Sequence, residues 1–424
     1  MKPTRVRLTV LALLSTGTMI NYLDRTVLSI AAPGIAHELG LGPATMGLIF
    51  SAFAWSYTGF QLPGGLFLDR FGSRLTYFLS VSSWAVFTLL QGFSSGLGSL
   101  LAYRIGLGIA ESPCFPTNSR VVAAWFPRQE RARATSVYTV GEYVGLAFLS
   151  PPLFWLIATY GWRAPFFVSG IVALIFAFVW WSRYREPEDD RRVNRAELDY
   201  IAAGEGLAAN SPGKTNFSWV RTRQLLSHRQ IWGAGIGQFA GNSTLVFFLT
   251  WFPTYLATAR GMGWIKVGLF AVLPFMAAAV GVLAGGILSD YLVRRTGSLN
   301  FGRKLPIVAG LVLATGIVGA NYVASNTAVI AIMSIAFFGQ GLVGLGWTVV
   351  SDIAPRNYAG LVGGIFNFMA NLAGIITPLV IGLIVERTGS FAYALGFMAS
   401  LTVIGALSYL ILLGDIKRLQ LPCA

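Results

Sequence analysis

The segments GGLFLDRFGSR, Gly64–Arg74, and GGILSDY, Gly285–Tyr291, carry the same Gly-Gly-x-x-x-Asp pattern about half a chain apart in a sequence of 424 residues. Each closes an apolar run of helical length and opens a basic loop. Paired glycines let helices approach closely, and an aspartate at a helix end can accept from a neighbouring helix amino terminus. A single match of this kind says little. Its recurrence at corresponding positions indicates an internal repeat of the sort found in transporters built from six-plus-six helices.

Composition points the same way. Hydrophobic residues make up 55% of the chain and charged residues 11%, against roughly a quarter charged in ordinary soluble domains. Twelve spans of about 20 residues require about 240 mostly apolar positions, which nearly exhausts the apolar content and leaves little for another domain. Apolar runs fall at about 8–36, 45–68, 75–96, 98–123, 134–158, 163–182, 230–256, 264–289, 304–324, 328–350, 358–384 and 390–414. The expected fold is therefore an all-α membrane protein with twelve transmembrane helices in two pseudo-symmetric six-helix bundles. The expected divisions are 1–182, a cytoplasmic linker at 183–229, and 230–424.

The net charge of +14 would suit nucleic acid if it were clustered, but its distribution argues against that. With an inside amino terminus, 25 of the 31 Lys and Arg residues fall in cytoplasmic segments, and the outer loops hold only Arg163, Arg260, Lys266 and Arg387. That asymmetry sets both termini in the cytoplasm. The first apolar stretch runs on to about Ala36, too long for a signal-peptide core. Cys114 and Cys423 suggest neither a disulfide framework nor a metal site. His37 and His228 read as solvated, and no phosphate loop, nucleophile elbow or metal-binding histidine pair indicates an enzyme. In the linker, Asn194 followed by Glu197 predicts a capped short helix over RAELDYIAAG, in an otherwise solvated hinge.

Two arginines, Arg25 and Arg104, lie within apolar helices, as do Asp24, Glu111 and Glu142. Ionisable groups at membrane depth are costly and usually belong to substrate or ion pathways. Forked, permanently charged guanidinium groups suit a carboxylate, so two of them imply an anionic substrate. Helical spacing puts the Tyr22 hydroxyl on the face of Arg25. Burial favours the protonated form of a carboxyl group and a nearby cation opposes it, so Asp24 and Glu111 can load and release protons. Arg104 and Glu111 are two turns apart on a similar face. An ionised Glu111 would hold Arg104, and protonation would free the guanidinium for substrate. Tyr57, Gln238, Asn367 and Asn371 can hydrogen-bond substrate hydroxyls, with ordinary helix-to-helix bonds as the alternative. Intramembrane ion pairing is the corresponding alternative for the arginines. Pro113, Pro116, Pro151 and Pro152 favour kinks in the fourth and fifth spans.

The repeat, the span layout and GGLFLDRFGSR together resemble the major facilitator superfamily. NYLDR (Asn21–Arg25), FSAFAWSYTGFQLPGG (Phe50–Gly65), RIGLGIAESPCFPTNSRVVAAWFP (Arg104–Pro127) and SDIAPRNYAGLVGGIFNFMANLAGIITP (Ser351–Pro378) resemble the anion:cation symporter family. Its bacterial members include galactonate, glucarate and hexuronate transporters, and YTVGEYVGLAFLSPPLFW (Tyr138–Trp155) is similar to the galactonate-transporting members. The resemblance implies proton coupling at Asp24 and Glu111. It also implies substrate contacts at Tyr22, Arg25, Tyr57, Gln238 and Asn371, and a gating motif at Gly65, Asp69, Arg70, Gly72 and Arg74 with Gly286 and Asp290. Glu142 departs from the pattern, because galactonate transport uses a glutamine there in contact with substrate. The departure fits another polyhydroxy monoacid, a substrate bearing an amine, or an additional proton site.

These readings converge on a proton-coupled symporter that imports an organic anion, expected to be a sugar acid such as an aldonate, aldarate or hexuronate, by alternating access. No cofactor is expected beyond the proton gradient, and no nucleic-acid partner. The expected setting is the bilayer of a bacterial inner membrane, with the chain as a monomer. An aromatic or other small carboxylate is the alternative substrate, and a transporter-like sensor the alternative class. A drug exporter fits poorly, since paired arginines favour anions.

Overall fold

A computed structural model describes residues 3–203, 219–355 and 359–420. Among these residues all regular structure is helical, and eight helices are long and apolar enough to cross a membrane. The chain packs into two compact units, Met1–Leu41 with Ala52–Gly213, and Gly42–Ser51 with Lys214–Ala424. The helices of the amino-terminal half are α1 (Val6–Leu39), α2 (Pro43–Gln91), α3 (Leu97–Glu111), α4 (Cys114–Trp125), α5 (Arg128–Tyr160), α6 (Ala164–Arg183) and the short linker helix α7 (Arg195–Ala203). After α8 (Trp219–Leu226) come α9 (Arg229–Thr250), α10 (Trp264–Thr296), α11 (Leu299–Thr315), α12 (Asn326–Val343), α13 (Gly346–Ile353), α14 (Ala359–Thr388) and α15 (Phe391–Leu407).

Two expected spans, 45–68 and 75–96, fall on the 49-residue run of α2, the second reaching past its end at Gln91. They are separated by Gly72, whose φ of 76° is non-helical and is costly for any residue with a Cβ. The expected span at 98–123 is divided between α3 and α4 at Ser112 and Pro113. Pro113 cannot donate a backbone hydrogen bond, so Glu111 becomes the last residue of α3.

The outward faces of the helices are apolar. On α6, Val168, Ile171, Val172, Ile175, Phe178 and Val179 are exposed while Phe166, Ala173, Phe176, Ala177 and Trp180 are buried. An apolar stripe of that extent is unfavourable in water but suited to lipid, where the helix satisfies its own backbone. Inside the first unit, Trp180 stacks on Tyr184 at 4.2 Å and contacts Tyr77 at 4.3 Å. The second unit has a comparable centre in Phe248 stacked on Phe337 at 4.0 Å. Its first segment, Gly42–Ser51, is seated by the Ala44 N–H donating to Glu386 at 2.7 Å and by Phe50 against Trp251.

The linker helix does more than the sequence suggested. Asn194 caps it, accepting from the Glu197 N–H at 2.9 Å, but Glu197 is fully buried and turns to the start of α1. There its carboxylate accepts from the Thr4 hydroxyl at 2.6 Å, the Val6 and Arg7 N–H groups, and the Arg7 guanidinium at 3.0 Å. A helix amino terminus has unsatisfied N–H groups and partial positive charge, so a carboxylate is the fitting cap. Arg7 also pairs with Glu130 of α5, which accepts from Tyr200 of α7. This part of the linker is therefore a docked element rather than a solvated hinge, and 204–218 lies outside the described residues. Nearby, the Arg192 guanidinium hydrogen-bonds Asp190 and holds its carboxyl below the usual range. Glu197→Ala leaves several buried donors without a partner, and a loss of about 1–3 kcal/mol is expected. Thermal unfolding in detergent would show it; an unchanged melting curve would mean that α7 does not anchor α1.

Candidate functional site

Two close helix approaches, α3 on α2 and α5 on α1, assemble a polar cluster inside the first unit. Gly108 of α3 lies against Ser56 and the Phe53 carbonyl of α2, where a Cβ would collide with backbone. That contact brings Arg104 and Glu111, one turn to either side of Gly108, up to Phe53 and Tyr57. Gly141 and Gly145 of α5 face Ser15 and Met19 of α1, and a Cβ on Gly145 would fall 2.9 Å from the Met19 Cα. Glu142, on the same turns, is thereby pressed against the Tyr22 face of α1. Small residues at these crossings permit backbone approach inside a membrane, where packing rather than water drives association.

Arg25 is the centre of the cluster. Its Nε donates to the Glu111 carboxylate at 2.9 Å, while its guanidinium carbon lies 5.0 Å from the Tyr22 ring centre and 4.9 Å from those of Phe53 and Tyr57. Such stacking suits the flat, weakly hydrated guanidinium. Arg104 lies 5.1 Å from the same Phe53 ring and is 3% exposed. Its Nε and Nη1 have no hydrogen-bond partner among the described residues. Helical spacing favours Arg104 as the partner of Glu111, whereas in the structure Glu111 pairs with Arg25. Seven residues along one helix separate Arg104 from Glu111, whereas α1 brings Arg25 alongside.

Asp24 is 2% exposed and has Glu111 and the Trp84 indole for neighbours. Neither of its carboxylate oxygens meets hydrogen-bond geometry among the described residues. Glu142 is 6% exposed and lies within hydrogen-bonding reach of the Tyr22 hydroxyl. Tyr22, Asp24, Arg25, Tyr57, Arg104, Glu111 and Glu142 thus form one cluster. Two neighbours had escaped the sequence reading. Phe53, which packs on both arginines, is one helical turn from Tyr57, a spacing that would have revealed it. Asn21, buried beside Glu111, is one turn from Arg25.

In the second unit, the buried Gln238 packs against Gly346 at the start of α13, and its Oε1 has no partner among the described residues. The Asn371 side-chain amide donates to the Asn367 carbonyl at 2.8 Å and to the Asn367 side-chain oxygen at 3.2 Å. These are bonds within α14.

The repeated glycine motif divides its labour differently from the expectation. Gly64 packs on Ser112 and Pro113 and Gly285 on Leu342, while a Cβ at Gly65 or Gly286 would meet nothing within 4 Å. The close approach therefore belongs to the first glycine of each pair. The aspartates bond guanidinium groups rather than a helix amino terminus: Asp69 with Arg120 at 3.5 Å, and Asp290 with Arg303 at 3.0 Å. Arg303 also reaches Asp352 at 3.3 Å. Arg74 donates to the Trp181 carbonyl at 2.8 Å and covers its ring, and Arg70 lies over Phe71. Both aspartates are mostly exposed, where an ion pair contributes about 0–1 kcal/mol, so these contacts suit an arrangement that opens and closes. Arg356 to Tyr358, within the SDIAPRNYAG motif, and Cys423 lie outside the described residues.

Comparison with known proteins gives the same architecture. The chain is 46% identical to a D-galactonate transporter of Escherichia coli O6:H1 over 98% of both chains. It is 45% identical to a probable galactarate/D-glucarate transporter, GudP, of Escherichia coli K12, over 99% of this chain and 96% of that one. A bacterial homologue of the human lysosomal transporter Spinster, solved in an inward-facing and unoccupied conformation, shares the fold with a TM-score of 0.76 at 19% identity, covering 96% of this chain and 97% of its own. The model of the Major Facilitator Superfamily matches residues 14–378. Repeat, helical units and relatives agree, and the chain belongs to the major facilitator superfamily as a multi-pass membrane transporter, not an enzyme.

Proposed function

We propose that this protein carries a sugar acid, an aldonate, aldarate or hexuronate, across a bacterial inner membrane in symport with protons. The observation that carries the reading is the Arg25–Glu111 ion pair beside Arg104, whose Nε and Nη1 have no partner among the described residues. Buried N–H groups of a guanidinium favour a charged acceptor, and Arg104 offers them to a substrate carboxylate. Protonation of Glu111 removes the charge that holds Arg25, so a proton and an anion bind together more readily than either binds alone. Asp24 supplies a second protonatable carboxyl next to that pair. Tyr22, Tyr57 and Glu142 in the first unit, and Gln238 and Asn371 in the second, are the candidates for hydroxyl recognition. The names of the similar D-galactonate and galactarate/D-glucarate transporters support the substrate class.

Alternating access follows from the family architecture. Protons that enter with the anion offset its charge and permit uptake against a negative interior. Both termini lie in the cytoplasm by the distribution of Lys and Arg, the unit of function is the monomer, and the proton gradient is the only driving force.

The test is uptake into proteoliposomes under an inward proton gradient, with D-galactonate, D-glucarate, a hexuronate and an aromatic acid. Accumulation of a sugar acid above its equilibrium level is expected. Glu111→Gln should lose gradient-driven accumulation while exchange of labelled for unlabelled anion persists, because the amide cannot carry the proton. Binding without accumulation of any of the four anions would overturn symport and favour a sensor or an exchanger.

A further inference from the structure

The first-unit cluster holds three buried carboxyl groups, Asp24, Glu111 and Glu142, against two guanidinium groups, Arg25 and Arg104. A buried carboxylate without a cation is costly and neutralises by keeping its proton. Glu111 takes the Arg25 Nε directly. Glu142 has no ion pair among the described residues, and the ring of Tyr22 lies between it and the guanidinium of Arg25 in the chain of contacts. The titratable and charged groups that face it are Tyr22 and Arg25 on α1 and Tyr138, one turn away on its own helix. The other helices packed on α5, α4 and α6, bring no charged group close to it among the described residues.

We propose that Glu142 works as a neutral acid that donates a hydrogen bond to a substrate hydroxyl, and that its ionisation closes the site to anions. The inference rests on the sugar-acid reading above. A protonated carboxyl has one oxygen to accept from the Tyr22 hydroxyl and one O–H left to donate. An ionised carboxylate can only accept and repels the arriving anion. Glu142 lies one tyrosine away from Arg25, so the donated hydrogen bond falls next to the carboxylate anchor, where a polyhydroxy acid carries its hydroxyls. Glu142 is then a specificity-determining residue that favours hydroxy acids over plain carboxylates, and it makes anion binding sensitive to alkaline pH separately from Asp24 and Glu111.

The experiment compares the affinity for D-galactonate of the full-length protein in detergent with that of Glu142→Gln, from neutral to alkaline pH, using D-glucarate alongside. The amide keeps the shape and a donor but cannot ionise. The affinity of the variant at neutral pH sets the reference for its own curve. At alkaline pH the wild type should lose affinity by about tenfold per pH unit relative to the variant. Parallel curves, or a variant weaker by a constant factor, would overturn the proposal. Infrared difference spectroscopy on the ligand-free protein separates this from the transport reading, since a protonated carboxyl band at neutral pH should disappear in Glu142→Gln. Absence of that band in the wild type refutes the neutral acid even if transport is real, and its presence without binding of either anion refutes the sugar-acid reading instead. Should Glu142→Gln not fold, Tyr22→Phe removes the hydroxyl and keeps the ring under Arg25. The band must then shift in frequency, and an unmoved band refutes the assignment.

Discussion

Arg25→Ala is expected to abolish sugar-acid uptake and to destabilise the protein even without substrate. The guanidinium is the partner of the fully buried Glu111 at 2.9 Å, and it fills the space among Tyr22, Phe53 and Tyr57. Breaking a buried ion pair by deleting one member costs about 3–5 kcal/mol, because the remaining charge is left uncompensated. Glu111 can relieve the penalty only by taking a proton permanently, which removes it from any coupling cycle. Anion affinity should fall about 100-fold or more, since about 1.4 kcal/mol is worth a factor of ten. Arg25→Lys keeps the charge but loses the fork and the flat stacking surface, so it should recover part of the stability and little of the uptake. Thermal unfolding and uptake, measured on both variants, decide the matter. Full stability in Arg25→Ala would show that the Glu111 pair is not the keystone of the cluster.

Arg104→Gln should act oppositely on stability. Its guanidinium is 3% exposed, and Nε and Nη1 find no partner among the described residues. A buried cation whose donors are unmet among the described residues is costly for folding and useful for binding. Replacing it with a neutral amide removes that cost, so the apparent Tm without ligand should equal or exceed that of the wild type. Anion affinity should fall by at least about 100-fold, because two charge-assisted hydrogen bonds of about 1.5–3 kcal/mol each are lost and about 1.4 kcal/mol is worth a factor of ten. A variant that unfolds early and binds normally would make Arg104 a structural residue and remove it from the site.

The opposed signs of these two predictions could not have been read from the sequence, which presents Arg25 and Arg104 as equivalent charges in apolar helices. Spacing along one helix favoured Arg104 as the partner of Glu111, since two turns restore the face. The pairing with Arg25 depends on the approach of α1 to α3, which brings together side chains 86 residues apart in sequence. The same holds for the repeated motif. Sequence alone marks Gly64 and Gly65 as alike, but only Gly64 lies against a neighbouring helix. Glu197 reads as part of a helix cap three residues after Asn194, and the cap is there. Its carboxylate, however, serves the amino terminus of α1, almost the full length of the first unit away in sequence.

Hydropathy, the asymmetry of Lys and Arg, and the internal repeat determined that this chain is a helical membrane protein built twice over. Those are properties of composition and local periodicity, which the bilayer enforces by excluding unpaired backbone and unpaired charge. The sequence also named the ionisable residues of the first-unit cluster, because a charge inside an apolar helix stands out whatever its neighbours are. Which charge meets which, and which guanidinium donors and which carboxyl groups are left without an ion pair among the described residues, were decided by the tertiary structure. Those outcomes turn on distances of a few ångströms between helices distant in sequence, set by the packing of small residues at the crossings.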